Sequence, residues 1–540
     1  MNGNWLHWLW SPGETHALAR VIYLRGLAAI YLVALLSWWV QVETLVGSRG
    51  IVPMAEFLDH VGETLHVQGY SRFGGVPTVF WVEDADWFIH AVCGIGVVLA
   101  LVVLAGYAAG PGLVGLWFIY LSLLGTGGFF MHFQWDILLL EAGFLAIFLA
   151  PWRRWRLRAD PLGWGERIAL WLQWFLIAKL MFQSGWVKLA WATPDQPEWW
   201  PDGTAMTFHY VTQPIPAWTS WWMHQLPEWF HRASLWPMYG VELVLPVLVF
   251  LGPRLRLVAA AGFAGLMLAI LATGNYTYFN WLTIVLCIPL VADRYWRWRP
   301  GRKKPAVSSA EQSGLSGNGG HPAFSEQGEL ASLALRAVPL GLVALLNGMT
   351  VLGDLHAASA VPGATLQWAR LERDPVPEFL LPLARAVQPW HLVSGYGLFR
   401  TMTTERPEIV LEGTVNGVTW REYELRHKPG RLGERPRFVA PHQPRVAWQF
   451  WFAALERQYH PRSRNAAWMT ALILQLLEND PVALALFREN PFPDQPPERI
   501  RAKLYLYEFT TPAERRETGH WWKRRETGLY LPPVGRDAAG

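Results

Sequence analysis

Charge is scarce in this chain: only 16% of its 540 residues are Asp, Glu, Lys or Arg, against 52% that are hydrophobic. That balance excludes an ordinary water-soluble protein of this length, because so little polar surface cannot cover so much apolar volume. Cysteine is scarcer still. Cys93 and Cys287 both sit inside apolar runs, which excludes a disulfide framework and supplies no metal-ligating neighbours. The familiar catalytic signatures are missing as well, with no glycine-rich nucleotide loop, HExxH helix, GxSxG elbow or CxxC pair, so no enzyme, cofactor or metal is nominated by motif. A cleavable signal peptide is not evident either, since the first apolar run is long enough to span and lacks a small-residue cleavage site. The net charge of +4 is modest, and the basic residues gather beside apolar segments, so no nucleic-acid partner is expected.

What the chain does contain is long apolar runs and 34 tryptophans, a residue enriched where hydrocarbon meets headgroups. A helix needs about 20 apolar residues to cross a bilayer with every backbone group satisfied internally. On that template spans fall near 18–40, 87–107, 112–131, 135–150, 166–190, 235–252, 255–273, 277–292 and 331–352. Arg20 with Arg25, Arg153 to Arg158, Arg254 with Arg256, and the run from Arg294 to Lys304 all fall on one side if there are nine spans. Basic loops are retained in the cytoplasm. The N-terminus is therefore expected to be cytoplasmic, with everything after about residue 353 on the far side. Residues 301–330, rich in Gly, Ser and Pro, read as a flexible linker. From about 390 the texture alternates, with Asn416-Gly417 marking a hairpin, 445–458 and 464–478 at helical spacing, and 500–509 alternating again. The expected fold is a polytopic α-helical membrane protein of about nine transmembrane helices (1–300 and 331–352), with an extracytoplasmic α+β domain over 353–540.

Ionisable residues inside spans are costly and therefore informative. Asp136 and Glu141 are five residues apart, about 140° around a helix, so they face different surroundings. Lys179 and Lys188 are nine apart, about 180°, so one cavity takes only one of them. Lys179 is central and needs a carboxylate or carbonyl partner, whereas Lys188 lies near the outer end, from which it can snorkel to the interface. The turn Gly274-Asn-Tyr-Thr-Tyr-Phe-Asn280 supplies amides that cap helix ends or bind a partner. In the outer loop 191–234, prolines deny a long helix, and the paired tryptophans Trp199-Trp200 and Trp221-Trp222 either anchor it flat on the bilayer or hold an apolar client.

Several of these stretches resemble the lipase maturation factor family. They are Gln134-Trp-Asp-Ile-Leu-Leu-Leu-Glu-Ala-Gly-Phe-Leu145, Leu180-Met-Phe-Gln-Ser-Gly-Trp-Val-Lys-Leu189, His209-Tyr-Val-Thr-Gln-Pro-Ile-Pro216 and Gly274–Asn280, followed by Gly395-Tyr-Gly-Leu-Phe-Arg-Thr-Met402, Phe438-Val-Ala-Pro-His-Gln-Pro444 and Trp448-Gln-Phe-Trp-Phe452. The resemblance covers nearly the whole chain in order. It implies a membrane-resident folding factor, in the endoplasmic reticulum of eukaryotes, that helps secreted lipases mature and touches them through its C-terminal domain. Too few cysteines for lumenal disulfides suggest a bacterial origin, hence an inner membrane and a periplasmic C-terminal domain. The client- or partner-binding candidates are Trp199, Trp200, His209, Gln213, Trp221 and Trp222 in the outer loop, with Gly395, Tyr396, Phe399, Arg400, His442, Trp448 and Trp451 beyond the last span. Membrane lipid and a secreted lipase are the expected partners. The membrane part is also similar, more distantly, to the vitamin K-dependent carboxylase, which implies an alternative: an enzyme acting on a quinone or lipid with Lys188 as base and Asp136 in place of that enzyme's histidine.

Overall fold

The computed structural model describes residues 15–192, 196–296, 326–359 and 378–536. Most of the linker expected over 301–330, and the basic residues Arg297 to Lys304, lie outside the described residues. The first half of the chain is helical: α1 (Ala17–Trp39), α2 (Asp86–Ala105), α3 (Ala109–Thr126), α4 (Gln134–Leu149) and α5 (Trp164–Ala190). The next stretch forms the short helices α6 (Ala205–Thr212), α7 (Trp218–His224) and α8 (Glu228–Tyr239), and then come α9 (Pro253–Thr273), α10 (Phe279–Cys287) and α11 (Glu326–Ser359). Among the described residues five helices are long and apolar enough to cross a membrane, namely α1, α2, α3, α9 and the Arg336–Gly353 part of α11. Each is apolar along most of its length, as a segment without a water-facing side must be.

The other expected spans are helical but depart from the simple template. α4 has 16 residues and α10 has nine before Pro289 tightens its end. α5, with 27 residues, carries Glu166, Arg167, Lys179 and Lys188. The stretch expected over 235–252 is broken: α8 contains Pro237, then a π-turn over Gly240–Val244 leads into Leu245–Leu248. A proline removes one helical hydrogen bond, and the extra residue in a π-turn rotates the side chains after it. That turn comes so close to α5 that a Cβ on Gly185 would stand 2.8 Å from the Glu242 side chain.

The two ends of α1 identify the two ends of the bundle. At its start, Arg20 pairs with Glu166 at 2.9 Å and donates to the Arg158 and Asp160 carbonyls, while Asp293 accepts from the Leu18 and Ala19 amides. Basic loops far apart in sequence thus share one end. At the other end, Ser37 and Gln41 bind residues 442–445 of the C-terminal domain.

That domain is a four-stranded antiparallel sheet, order β2-β1-β3-β4, of β1 (Arg406–Thr414), β2 (Arg421–Tyr423), β3 (Arg499–Phe509) and β4 (Trp522–Gly535). The expected hairpin turn is present, with Gly417 at φ +69° and the Asn416 side chain accepting from the Val418 and Thr419 amides. Helices α12 (Arg445–Leu455) and α13 (Ala466–Leu477) fill the helical spacings and bury Phe450, Trp468 and Leu472. β4 escapes sequence alternation because Lys523, Arg524, Arg525 and Glu526 make it read as a polar loop. As an edge strand it carries those charges outward in pairs, Lys503–Glu526 and Arg524–Glu422 among them.

Candidate functional site

Charges sequestered from water need partners, and three of the buried pairs join separate helices or the two halves of the chain. The first begins at the N-terminus of α4, where the Asp136 carboxylate reaches back to the Phe133 amide at 3.3 Å. It accepts two bonds from Arg445, at 3.0 and 3.1 Å, and one each from the Tyr120 and Tyr278 hydroxyls at 2.5 and 2.6 Å. Both partners are fully buried, and the guanidinium lies 5.0 Å above the Trp38 ring and donates to the Phe130 carbonyl. Arg445 opens α12, so this fork bolts the C-terminal domain onto the helices.

The second pair joins α4 to α5. Lys179 donates to Glu141 at 2.7 Å, to Asn347 of α11 at 2.6 Å and to the Ser394 carbonyl at 2.9 Å. Glu141 accepts in turn from the Tyr396 hydroxyl at 2.6 Å and the Ser394 amide at 3.2 Å, while Gln183 and Gln134 receive the Tyr396 and Gly397 amides. The third joins α5 to the π-turn: Lys188 donates to both Glu242 oxygens, at 2.7 and 2.5 Å, and lies 5.3 Å from the Trp199 ring.

Around these pairs the two halves interlock through backbone-directed bonds. Asn275 donates to the Ile215 and Arg437 carbonyls and accepts from the Val439 and Ala440 amides. Arg406 spans the Val211, Gln213 and Pro214 carbonyls and pairs with Glu408 at 2.7 Å. Trp135 donates to Gln443, and the Trp135 and Trp448 rings pack edge-on at 4.9 Å. Each stretch singled out in the sequence therefore faces another such stretch.

Beneath this interface lies a cavity of about 520 Å³ between α5, α6, the π-turn and α9. Its wall is mostly apolar, with Met, Leu and Phe the commonest side chains, and its charged or basic groups are the Lys188–Glu242 pair and His209. His209, on α6 outside the spans, is half-buried, its ring 5.2 Å from Phe399; burial first, then the Lys188 charge, pushes its imidazole down to about 4.

The predicted residues divide accordingly. Trp199, His209 and Phe399 line the cavity. Gln213, Trp221, Tyr396 and Trp448 are buried against other parts of the chain, Trp451 donates to the Thr212 carbonyl and His442 meets Ser37. Trp200 and Trp222 are exposed, as are Gly395 and Arg400, the latter 4.2 Å over the Trp191 ring. The tryptophan pairs do not lie flat together: Trp199 and Trp221 turn inward, the latter against Trp521 at 5.6 Å. Lys188 does not snorkel, and it does not meet Asp136; each has a different partner, because the π-turn brings Glu242 to Lys188 while Arg445 takes Asp136. Asn275 binds the C-terminal domain rather than capping a helix. Sequence reasoning missed Glu242, Arg406 and Arg445. The available signal was a single charge within an otherwise apolar stretch, in 235–252 and at the head of 445–455.

The docking surface carries its own pH dependence. His442 stands 3.0 Å from Ser37 and faces His427, and burial, then His427 and Arg445, pushes its imidazole down to about 4. An unfolded histidine titrates near 6.5, so between these values the unfolded chain binds the extra proton and stability falls as pH falls. The contribution is fully present above about 6.5 and is lost on the way down through about 4. Taking the full chain in micelles from pH 7 to 4.5 should lower its thermal midpoint. His442→Gln should remove about 2 kcal/mol of that dependence; identical pH profiles for the two proteins would contradict it.

Comparison with known proteins bears on the same two halves. Residues 18–298 match the family model described as the lipase maturation factor transmembrane domain, and residues 392–532 that of the lipase maturation factor C-terminal domain. The chain is 35% identical to lipase maturation factor 2 of Gallus gallus across 97% of this chain and 82% of the relative. It is 33% identical to lipase maturation factor 2 of Homo sapiens, across 96% and 82%. It is 32% identical to lipase maturation factor 1 of Bos taurus, across 97% and 90%. No solved structure matches the chain.

Proposed function

The chain belongs to the lipase maturation factor family, and we propose from that premise that it is a membrane-bound maturation factor for lipases, acting where exported proteins fold. The observation that carries the reading is the interface itself. The Asp136–Arg445 fork, the Lys179 cluster and Asn275 join the helices and the C-terminal domain into one platform, and its motifs are those that resemble the family. A helper that holds an immature client needs a surface already in place, because ordering it at each encounter would subtract from binding.

In this reading the chain crosses the membrane nine times with a cytoplasmic N-terminus, and residues 353–540 lie in the periplasm or the endoplasmic reticulum lumen. The shared end of the basic loops and the opposite position of the C-terminal domain support that arrangement. A reporter fused after residue 540 is expected to be active only on the extracytoplasmic side. The client meets the residues that remain exposed, above all Trp200 and Trp222; these two, like Trp229 and Trp236, are 42–69% exposed. Large exposed aromatics mark association surfaces. The alternative of an enzyme with Lys188 as base is not favoured, since both Glu242 carboxylate oxygens already occupy the ammonium.

Removing the protein from its own cell tests the reading. Secreted lipase activity per amount of secreted lipase should fall several-fold, and Trp200→Ala with Trp222→Ala should reproduce part of the loss with the fold intact. Unchanged specific activity for every secreted lipase would overturn it.

A further inference from the structure

The cavity between α5, α6, the π-turn and α9 has the size and lining of a small-molecule site, and of its described lining only Leu398 and Phe399 come from beyond the last span. Its volume of about 520 Å³ falls inside the range of ligand pockets. Five methionines contribute to its wall, Met181, Met206, Met223, Met238 and Met267. Methionine is unbranched and polarizable, and adapts to a flexible chain better than branched side chains do. The wall also includes one face of α9, whose outward residues Val258 and Leu268 are 51% and 54% exposed and apolar, as on a lipid-facing helix. α9 thus stands between the cavity and an apolar outer face.

The charges decide what head group the ligand carries. Lys188 is the single Lys or Arg lining the cavity among the described residues, and both Glu242 oxygens neutralise it. His209 is neutral at pH 7 and keeps hydrogen-bonding capacity for a ligand, its Nδ1 having no partner among the described residues. A carboxylate or phosphate entering here would lose its water without gaining an unpaired cation, which disfavours it. Hydroxyl and ester groups lose far less on leaving water and are matched by one donor or acceptor each. We propose that this cavity binds an uncharged acylglycerol-type lipid, with its chain among the methionines and its hydroxyl or ester head at Lys188, Glu242 and His209. The site goes beyond action on a lipase client, and its test contains no lipase, so either reading can fail alone.

The full chain is placed in phosphatidylcholine nanodiscs with a monoacylglycerol carrying a diazirine in its acyl chain, irradiated, and mapped by peptide mass spectrometry. Label is expected on the cavity-lining parts of α5, α6 and α9. Gly265→Leu, at a position where an added Cβ meets nothing within 4 Å, and Met206→Trp both fill the space. Each should cut labelling at least about tenfold. His209→Phe keeps the ring packing and removes both nitrogens, and should weaken labelling about fivefold. The matching fatty-acid carboxylate should label at least about tenfold less than the acylglycerol. Equal labelling in both filling variants, label confined to outward positions such as Val258 and Leu268, or a carboxylate probe that labels as well as the uncharged one would each overturn the proposal.

Discussion

Replacing Arg445 by methionine is expected to destabilise the folded chain by about 3–5 kcal/mol. The charge on Asp136 would remain, fully buried, with only the Tyr120 and Tyr278 hydroxyls and the Phe133 amide to hold it. Removing one partner of a buried pair costs more than the pair contributes, because the survivor keeps its desolvation penalty. Asp136→Asn should be comparably harmful, since it keeps the shape and strands the guanidinium. The double variant Asp136→Leu with Arg445→Met removes both charges and should recover much of the loss. Thermal midpoints of all three, with limited proteolysis reporting release of the C-terminal domain, test this as a cycle. A single variant as stable as the parent would show that the fork does not hold the domains together.

The second large effect is expected at Lys179. Its ammonium binds Glu141, Asn347 and the Ser394 carbonyl, so one side chain ties α4, α5, α11 and the start of the C-terminal domain. Lys179→Met should cost about 3–5 kcal/mol and loosen α11 in particular, because Asn347 loses its ammonium partner. Lys179→Met combined with Glu141→Gln should cost less than Lys179→Met alone, because the substituted amide is neutral and its carbonyl oxygen can still accept from the Tyr396 hydroxyl. The readout is the midpoint together with the rate at which a cysteine placed on α11 near Asn347 reacts with a soluble thiol reagent. If that rate is unchanged in Lys179→Met, the lysine does not anchor α11. Lys188 differs, since its partner Glu242 sits on a π-turn and the pair borders a cavity rather than a packed interface.

Much of the architecture was legible in sequence for a definite reason. Apolar runs of spanning length have few alternatives to a helix, and Asn416-Gly417 has few alternatives to a tight turn, so local preference and tertiary outcome agree. β4 was not legible because its charged residues lie on an edge strand, where alternation carries little burial signal. The break in the 235–252 stretch was hidden for a related cause: Pro237 marks a disturbance, but whether the helix answers with a kink or a π-turn depends on what packs against it. The tryptophan pairs show the same limit. Trp199 and Trp200 are chemically equivalent, and only the neighbouring elements determine that one faces the cavity and the other solvent.

By itself, the sequence determined that this chain is a membrane protein with a folded C-terminal domain, that its basic residues gather beside apolar segments, and which stretches carry its family resemblance. Those properties rest on composition and short-range spacing, which a linear reading contains in full. Only the tertiary structure decided which buried charges neutralise one another. Asp136 meets Arg445 from 309 residues away, and Lys188 meets Glu242 from 54. A buried charge is satisfied by whatever lies within about 4 Å, and proximity across such separations is a property of the packed fold.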